Sequence, residues 1–341
     1  MLRFLSSLFS NPQERSGELD EALLEKAIER VVAGTDRRLH ALADYRKRLR
    51  QPVEQAASHV ISLVDALPAP IEISPRAFGE DPLLRAFFVS TDHLGEVLRG
   101  FSGVRECLAE PAGPPPDEIF GLLAMAREER NVFGMELAEG ALRRDVMQTA
   151  VNFSNHRYLG PAGSEVDTRW ELKKRAFDFL IQKALWRLTA ERGKRRELDR
   201  QRHLLKQKLE AMQTGRWGFG SMLDDGEGLP PNLAALEAEI AAIEAELGHS
   251  HADHLALEES LACVADTLAH PADWLAAREV CLRLDYRGVK VADASAAAPA
   301  ELALTELFSG TGERRTIMLG RIARTDIPEP ADFWKTAKRY L

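Results

Sequence analysis

Apolar residues at three- and four-residue steps dominate the chain and predict a helix-rich protein. From 18 to 33, Leu19, Leu23, Ala27 and Val31 recur every four residues, and Gly34 ends the run. Thr35 or Asp36 can cap the next helix by accepting a backbone N–H. The next apolar face, Leu39, Leu42, Tyr45 and Leu49, continues through Val60, Ile61 and Val64. Pro52 lies within it and is expected to kink or divide the helix. Short helices are expected after Asp81-Pro82 and after Ser90-Thr91-Asp92.

The longest signal lies in the middle third. Phe177, Ile181, Ala184, Leu188, Leu198, Leu205, Leu209 and Met212 follow heptad steps, with Glu191, Arg195 and Arg202 in the remaining core slots. Leu233, Leu236, Ile240, Ile243, Leu247, Leu257, Leu261, Val264 and Leu268 do the same, with Ser250 and His254 in the gaps. Two such seams joined by a Gly/Pro-rich loop predict a long antiparallel, coiled-coil-like helical hairpin. An outgoing helix of some 45 residues would be ~70 Å long, which predicts a projecting arm.

Period-two patterns flank the arm. Ile119, Phe120, Leu123 and Met125 read as a helix starting at Asp117. Phe133, Met135 and Leu137, then Met147, Thr149, Val151 and Phe153, favour a β-hairpin turning at 138–140, although 142–153 also fits a helix. Val280, Leu282, Leu284 and Tyr286 predict a strand that Val289 and Val291 continue. Leu302, Leu304 and Phe308 predict a second, and Ile317 and Leu319 a third. Ser309-Gly310-Thr311-Gly312 is a turn, and Asp332 to Leu341 reads as a closing helix.

The expected fold is therefore α+β and predominantly α, with the hairpin inserted between segments of a small antiparallel sheet. Its divisions are an amphipathic segment (1–16), a helical domain (17–110), a helix plus possible β-hairpin (117–165), the arm (166–269, tip 214–231) and C-terminal strands with a short helix (270–341). In the first segment Leu2, Leu5 and Phe9 share a helical face. It suits docking onto protein better than membrane-surface contact through residues 1–10, because Arg3 is the only base among those ten.

Composition narrows the function. In 341 residues, 45% are hydrophobic and the net charge is -8, which disfavours a protein that coats nucleic acid. The three cysteines, Cys107, Cys263 and Cys281, support no disulfide framework and read as reduced core thiols. The N-terminal apolar run has no cleavage pattern, and no run reaches the ~20 residues of a membrane span. A cytoplasmic protein is expected.

The basic run 192–208 invites a nucleic-acid reading. However, no Lys or Arg lies between Arg216 and Arg278, and the returning arm carries Glu237, Glu239, Glu244, Glu246, Asp253, Glu258 and Glu259. Mutual neutralisation is the favoured reading.

His249-Ser250-His251-Ala252-Asp253-His254 resembles the HxHxDH signature of the metallo-β-lactamase-like hydrolases. That resemblance implies His249, His251, Asp253 and His254 as ligands of a water-activating metal. It covers six residues, comes after an amphipathic helix where the family has a buried strand, and is succeeded only by His270. A solvated histidine cluster, with no metal or other cofactor, is preferred. Residues 310–316 lack the second correctly spaced Gly and the Lys of a phosphate loop. No nucleophile set emerges.

At the arm's tip, Trp217 and Phe219 lie among glycines, just before Met222 and Leu223. These four are the candidate partner-binding residues. The sequence thus predicts a non-enzymatic scaffold or adaptor that binds a protein partner or a second copy. A metal-dependent hydrolase comes next, and nucleic-acid binding third.

Overall fold

The computed structural model describes residues 21–109, 115–138, 141–213, 233–247, 253–291, 300–310 and 312–328. The mixed α+β expectation holds, and the helices of the predicted arm lie in the chain between sheet strands. The expected closing helix and N-terminal amphipathic segment lie outside the described residues, as does the arm's tip.

Two compact units form. One comprises Leu19–Glu54 and Ile181–Ala269. Its first helix is α1 (Glu21–Gly34), which buries Leu24, Ala27, Ile28, Val31 and Val32. Asp36 then caps a short 3-10 turn, Arg37–Ala41, accepting from Arg38 N at 3.0 Å. Helix α2 (Tyr45–Asp65) runs on through Pro52 undivided. Burial of Leu49 and Val53 on either side of the proline offsets the lost hydrogen bond.

The other unit comprises Gln55–Leu180 and His270–Leu341. After β1 (Ile71–Glu72) come four short helices: α3 (Pro75–Phe78), α4 (Pro82–Phe87), α5 (Thr91–Gly100) and α6 (Ser102–Ala109). Ser74, Asp81 and Ser90 cap the first three with their side-chain oxygens. The long strands β2 (Glu118–Ala138) and β3 (Ala141–Ala162) come next. Later come β4 (Leu275–Leu284), β5 (Ala300–Ser309) and β6 (Arg314–Ala323). The spatial order is β3-β2-β6-β5-β4, all antiparallel, with β1 parallel to β6.

The sheet is larger than the sequence pattern predicted, and the helix expected at Asp117 is strand β2. Its residues are buried on both faces. Ile119, Leu123 and Met125 enter the core beneath the α3–α6 cap, whereas Leu122 and Ala124 enter a second core with Val64 and Leu172. A strand buried on both faces has no polar alternation, so its apolar run is easily read as helix.

Three bulges shape β3. Each of its register shifts against β2 adds a residue to β3. The shifts coincide with left-handed backbone at Gly160 (φ 60°), Asn155 (φ 54°) and Asp145 (φ 58°). Gly, Asn and Asp are the residues that tolerate this conformation, and bulges strengthen local twist. The coiled sheet brings its edges together. Gly288 and Lys290 bond β3 through Val151 N (2.8 Å to Gly288 O) and Thr149 O (2.9 Å from Lys290 N). Val289 is thus an isolated bridge, not the strand continuation expected.

Gly121 and Gly320 face each other across β2 and β6. A Cβ at Gly121 would meet the Tyr158 ring at 2.2 Å. The missing side chains make room for Tyr158, whose hydroxyl donates to Gly320 O at 2.7 Å. The Ser309–Gly312 turn joins β5 to β6, with Gly312 at φ 84°. None of the three cysteines is fully buried and Cys281 is exposed, so they are not the core thiols expected.

Candidate functional site

The arm region contains α7 (Glu165–Gln213), α8 (Leu233–Leu247) and α9 (Asp253–Ala269). Phe177, Ile181, Ala184 and Leu188 are buried as the heptad steps predict. Beyond them Arg192, Arg195, Leu198, Arg202, Leu205 and Leu209 are half-buried at three- to four-residue spacing. Arg192, rather than Glu191, takes the inward slot. It donates to the buried Asp36 carboxylate and, at 3.1 Å, to Ser260 Oγ on α9.

Burial raises the Asp36 pKa, but hydrogen bonds from Arg38 and Arg192 outweigh it and hold the carboxyl at about 2. A second network centres on Glu29. His40 donates to it first, then Tyr45 at 2.7 Å; with Arg46 they hold its carboxyl at about 2 against the opposing effect of burial. The first network joins segments far apart in sequence, whereas the second joins neighbouring elements.

The basic residues of α7 find acids. Arg187 pairs with Asp266 at 2.8 Å, Arg195 with Glu259 at 2.7 Å, Lys206 with Glu244 at 2.5 Å and Arg202 with Asp199 at 3.0 Å. Arg187 also donates to Thr267 Oγ1. A different set lines the outer side of α7. Trp186, Ala190, Gly193, Glu197, Arg200 and Leu204 are all exposed at alternating steps of four and three. Trp186 is 56% exposed and Leu204 54%, and a Cβ at Gly193 would meet nothing within 4 Å. Eighteen residues separate the two apolar side chains, five turns at ~3.6 residues each, so they share one face. The heptad steps mark the inner seam alone, and this outer stripe was not anticipated from them.

The β-hairpin favoured for 133–153 forms as the distal part of β2 and β3, but its exposed face was not anticipated. Beyond Met125, β2 leaves β6 and pairs with β3 alone. Phe133 and Met147 face each other there, 78% and 67% exposed, beside exposed Met135. Their alternation was legible, but their lack of cover was not.

The predicted partner-binding residues Trp217, Phe219, Met222 and Leu223 lie outside the described residues, as do His249 and His251. Asp253 and His254 open α9, and their side chains are likewise outside the description. Among the described residues no group of three or more His, Cys, Asp or Glu could hold a metal ion. No described helix is long and apolar enough to cross a membrane. Comparison with known proteins assigns no family: no family model matches the chain, and neither a curated protein nor a solved structure matches it.

Proposed function

We propose that the protein is a non-enzymatic adaptor or scaffold that uses α7, α8 and α9 as a coiled-coil-like antiparallel hairpin to hold a protein partner or a second copy. The observation carrying this reading is the division of α7 into two stripes. One spends its charge on α8 and α9; the other leaves Trp186 and Leu204 in water on a single face. The ion pairs favour the antiparallel arrangement, since partner numbers fall from Asp266 through Glu259 to Glu244 as α7 numbers rise. Exposed aromatics are frequent energetic anchors of interfaces. Bases already paired with acids have less to offer phosphates, which speaks against the nucleic-acid reading.

The test is Trp186→Ala with Leu204→Ala in the full chain. The melting temperature should stay within a degree or two, while self-association in sedimentation or recovery of a specific partner falls at least tenfold. Wild-type association that the pair of changes leaves intact would remove the outer stripe from the reading. The tip is tested separately by Trp217→Ala with Phe219→Ala, which should lower partner recovery without lowering the melting temperature.

A further inference from the structure

The sheet ends at β4, and this edge carries an inference independent of the arm. Along 276–282, β4 pairs with β5 on one side, and among the described residues no strand pairs with its other side. Among the described residues the chain returns to it at Arg283 O, which accepts from Val291 N at 3.0 Å, and at Leu284, bridged to Lys290. At the opposite end Leu275 O bonds the His59 ring at 2.7 Å. Edge strands of soluble proteins are commonly blunted by bulges or proline. The register of β4 with β5 is unbroken from Leu275 to Leu284, and the strand contains no proline. A regular edge of this kind offers main-chain hydrogen bonds to an added strand.

Charge decides what fits there. On the face shared with the cap, β4 presents Ala276, Arg278, Val280 and Leu282, because alternate residues share a face. On the inner side β5 answers this row with Glu306, Leu304 and Leu302 opposite the last three. But Glu306 is committed elsewhere. It is 4% exposed, and its Oε1 lies 2.7 Å from Arg127 Nη1 of β2. Among the described residues no carboxylate pairs with Arg278, whose guanidinium rests 5.3 Å from the Phe308 ring centroid. The ring holds the cation in place, which lowers the ordering cost of binding an anion.

We propose that this edge docks an extended segment of a partner protein, antiparallel to β4, with the pattern apolar–any–apolar–any–acid. The acid pairs with Arg278, and the two apolar residues continue the rows of Val280 and Leu282. A base just before the acid falls opposite the exposed Glu279 on the other face. A second copy of β4 does not satisfy the edge. Any face-preserving antiparallel register sets Arg278 against Ala, Arg, Val or Leu, since the strand's one acid, Glu279, lies on the other face.

The probe is the synthetic peptide Thr-Leu-Thr-Val-Lys-Glu-Thr, with a control in which Lys and Glu are exchanged, titrated into the full chain. The first should bind saturably and protect amides within 276–282 from hydrogen exchange; the control should bind at least tenfold more weakly. Arg278→Glu should abolish that preference, because each peptide then makes one opposite-charge and one like-charge pair with residues 278 and 279. Because the side chain is exposed, the variant is expected to fold, and circular dichroism checks this. If it does not fold, the two peptides on the wild type still decide. Absence of saturable binding, equal affinity for both peptides, protection outside β4, or a self-associated form that the peptide displaces from this edge would each overturn the proposal.

Discussion

Charge is used differently in the two units. In the sheet unit, Arg127 and Glu306 meet on one face of three neighbouring strands, with Glu306 almost wholly buried. Their contact at Arg127 Nη1 is a charge pair without hydrogen-bond geometry, and beside them the Thr316 hydroxyl is also buried without a hydrogen-bond partner. In the helical unit, Arg195–Glu259 and Lys206–Glu244 lie on helix surfaces with water on several sides. A buried pair has lost its hydration and relies on its partner, whereas an exposed pair exchanges one solvated state for another. The sheet's ion pair is therefore a condition of the fold. The arm's ion pairs select which helices lie together and contribute little stability individually.

The sharpest way to break this contrast is Arg127→Ala, which strands Glu306 as a buried carboxylate. It should destabilise the protein by about 3–5 kcal/mol in urea unfolding, while Arg127→Met with Glu306→Leu should recover most of the loss. A cost near that of a surface pair would erase the distinction.

An intermediate effect is expected at Asp36, the buried acid of the helical unit. Its folded pKa of about 2 lies below an unfolded value of ~3.9. Its contribution is complete above pH ~4 and is lost as pH falls toward 2. Asp36→Ala should cost ~2 kcal/mol at neutral pH, by the same linkage, and should flatten the fall in stability between pH 4 and 2. An unchanged acid limb would show that Arg38 and Arg192 do not hold the carboxylate.

The smallest effect belongs to Arg195→Ala, below ~1 kcal/mol and shrinking further in high salt. A salt-insensitive loss of several kcal/mol would place this pair in the same class as Arg127–Glu306.

Local signals were legible wherever they were complete within a few residues. Asp36, Asp81 and Ser90 cap as their side chains require, and the Ser309–Gly312 turn forms. The buried face of α7 through Leu188 follows its heptad steps. Errors arose where the meaning of a residue depended on a distant neighbour. Ile119 to Met125 became strand because a core lies on each side. Arg192 displaced Glu191 from the inner seam because Asp36 and Ser260 are there to receive it. The exposed Phe133, Met147, Trp186 and Leu204 look like core residues in the sequence, since apolarity says nothing of whether a covering element exists.

Periodicity, caps and turn residues are properties of short stretches of chain, and they determined by themselves that this protein combines long helices with an antiparallel sheet and where many elements begin and end. Which strand lies at the edge, and which acid answers which base, required the tertiary structure. Strand order brings Glu306 to Arg127 across three strands and leaves Arg278 facing outward at β4. The sequence holds all three residues, but only the folded geometry brings two of them together and leaves the third at an open edge.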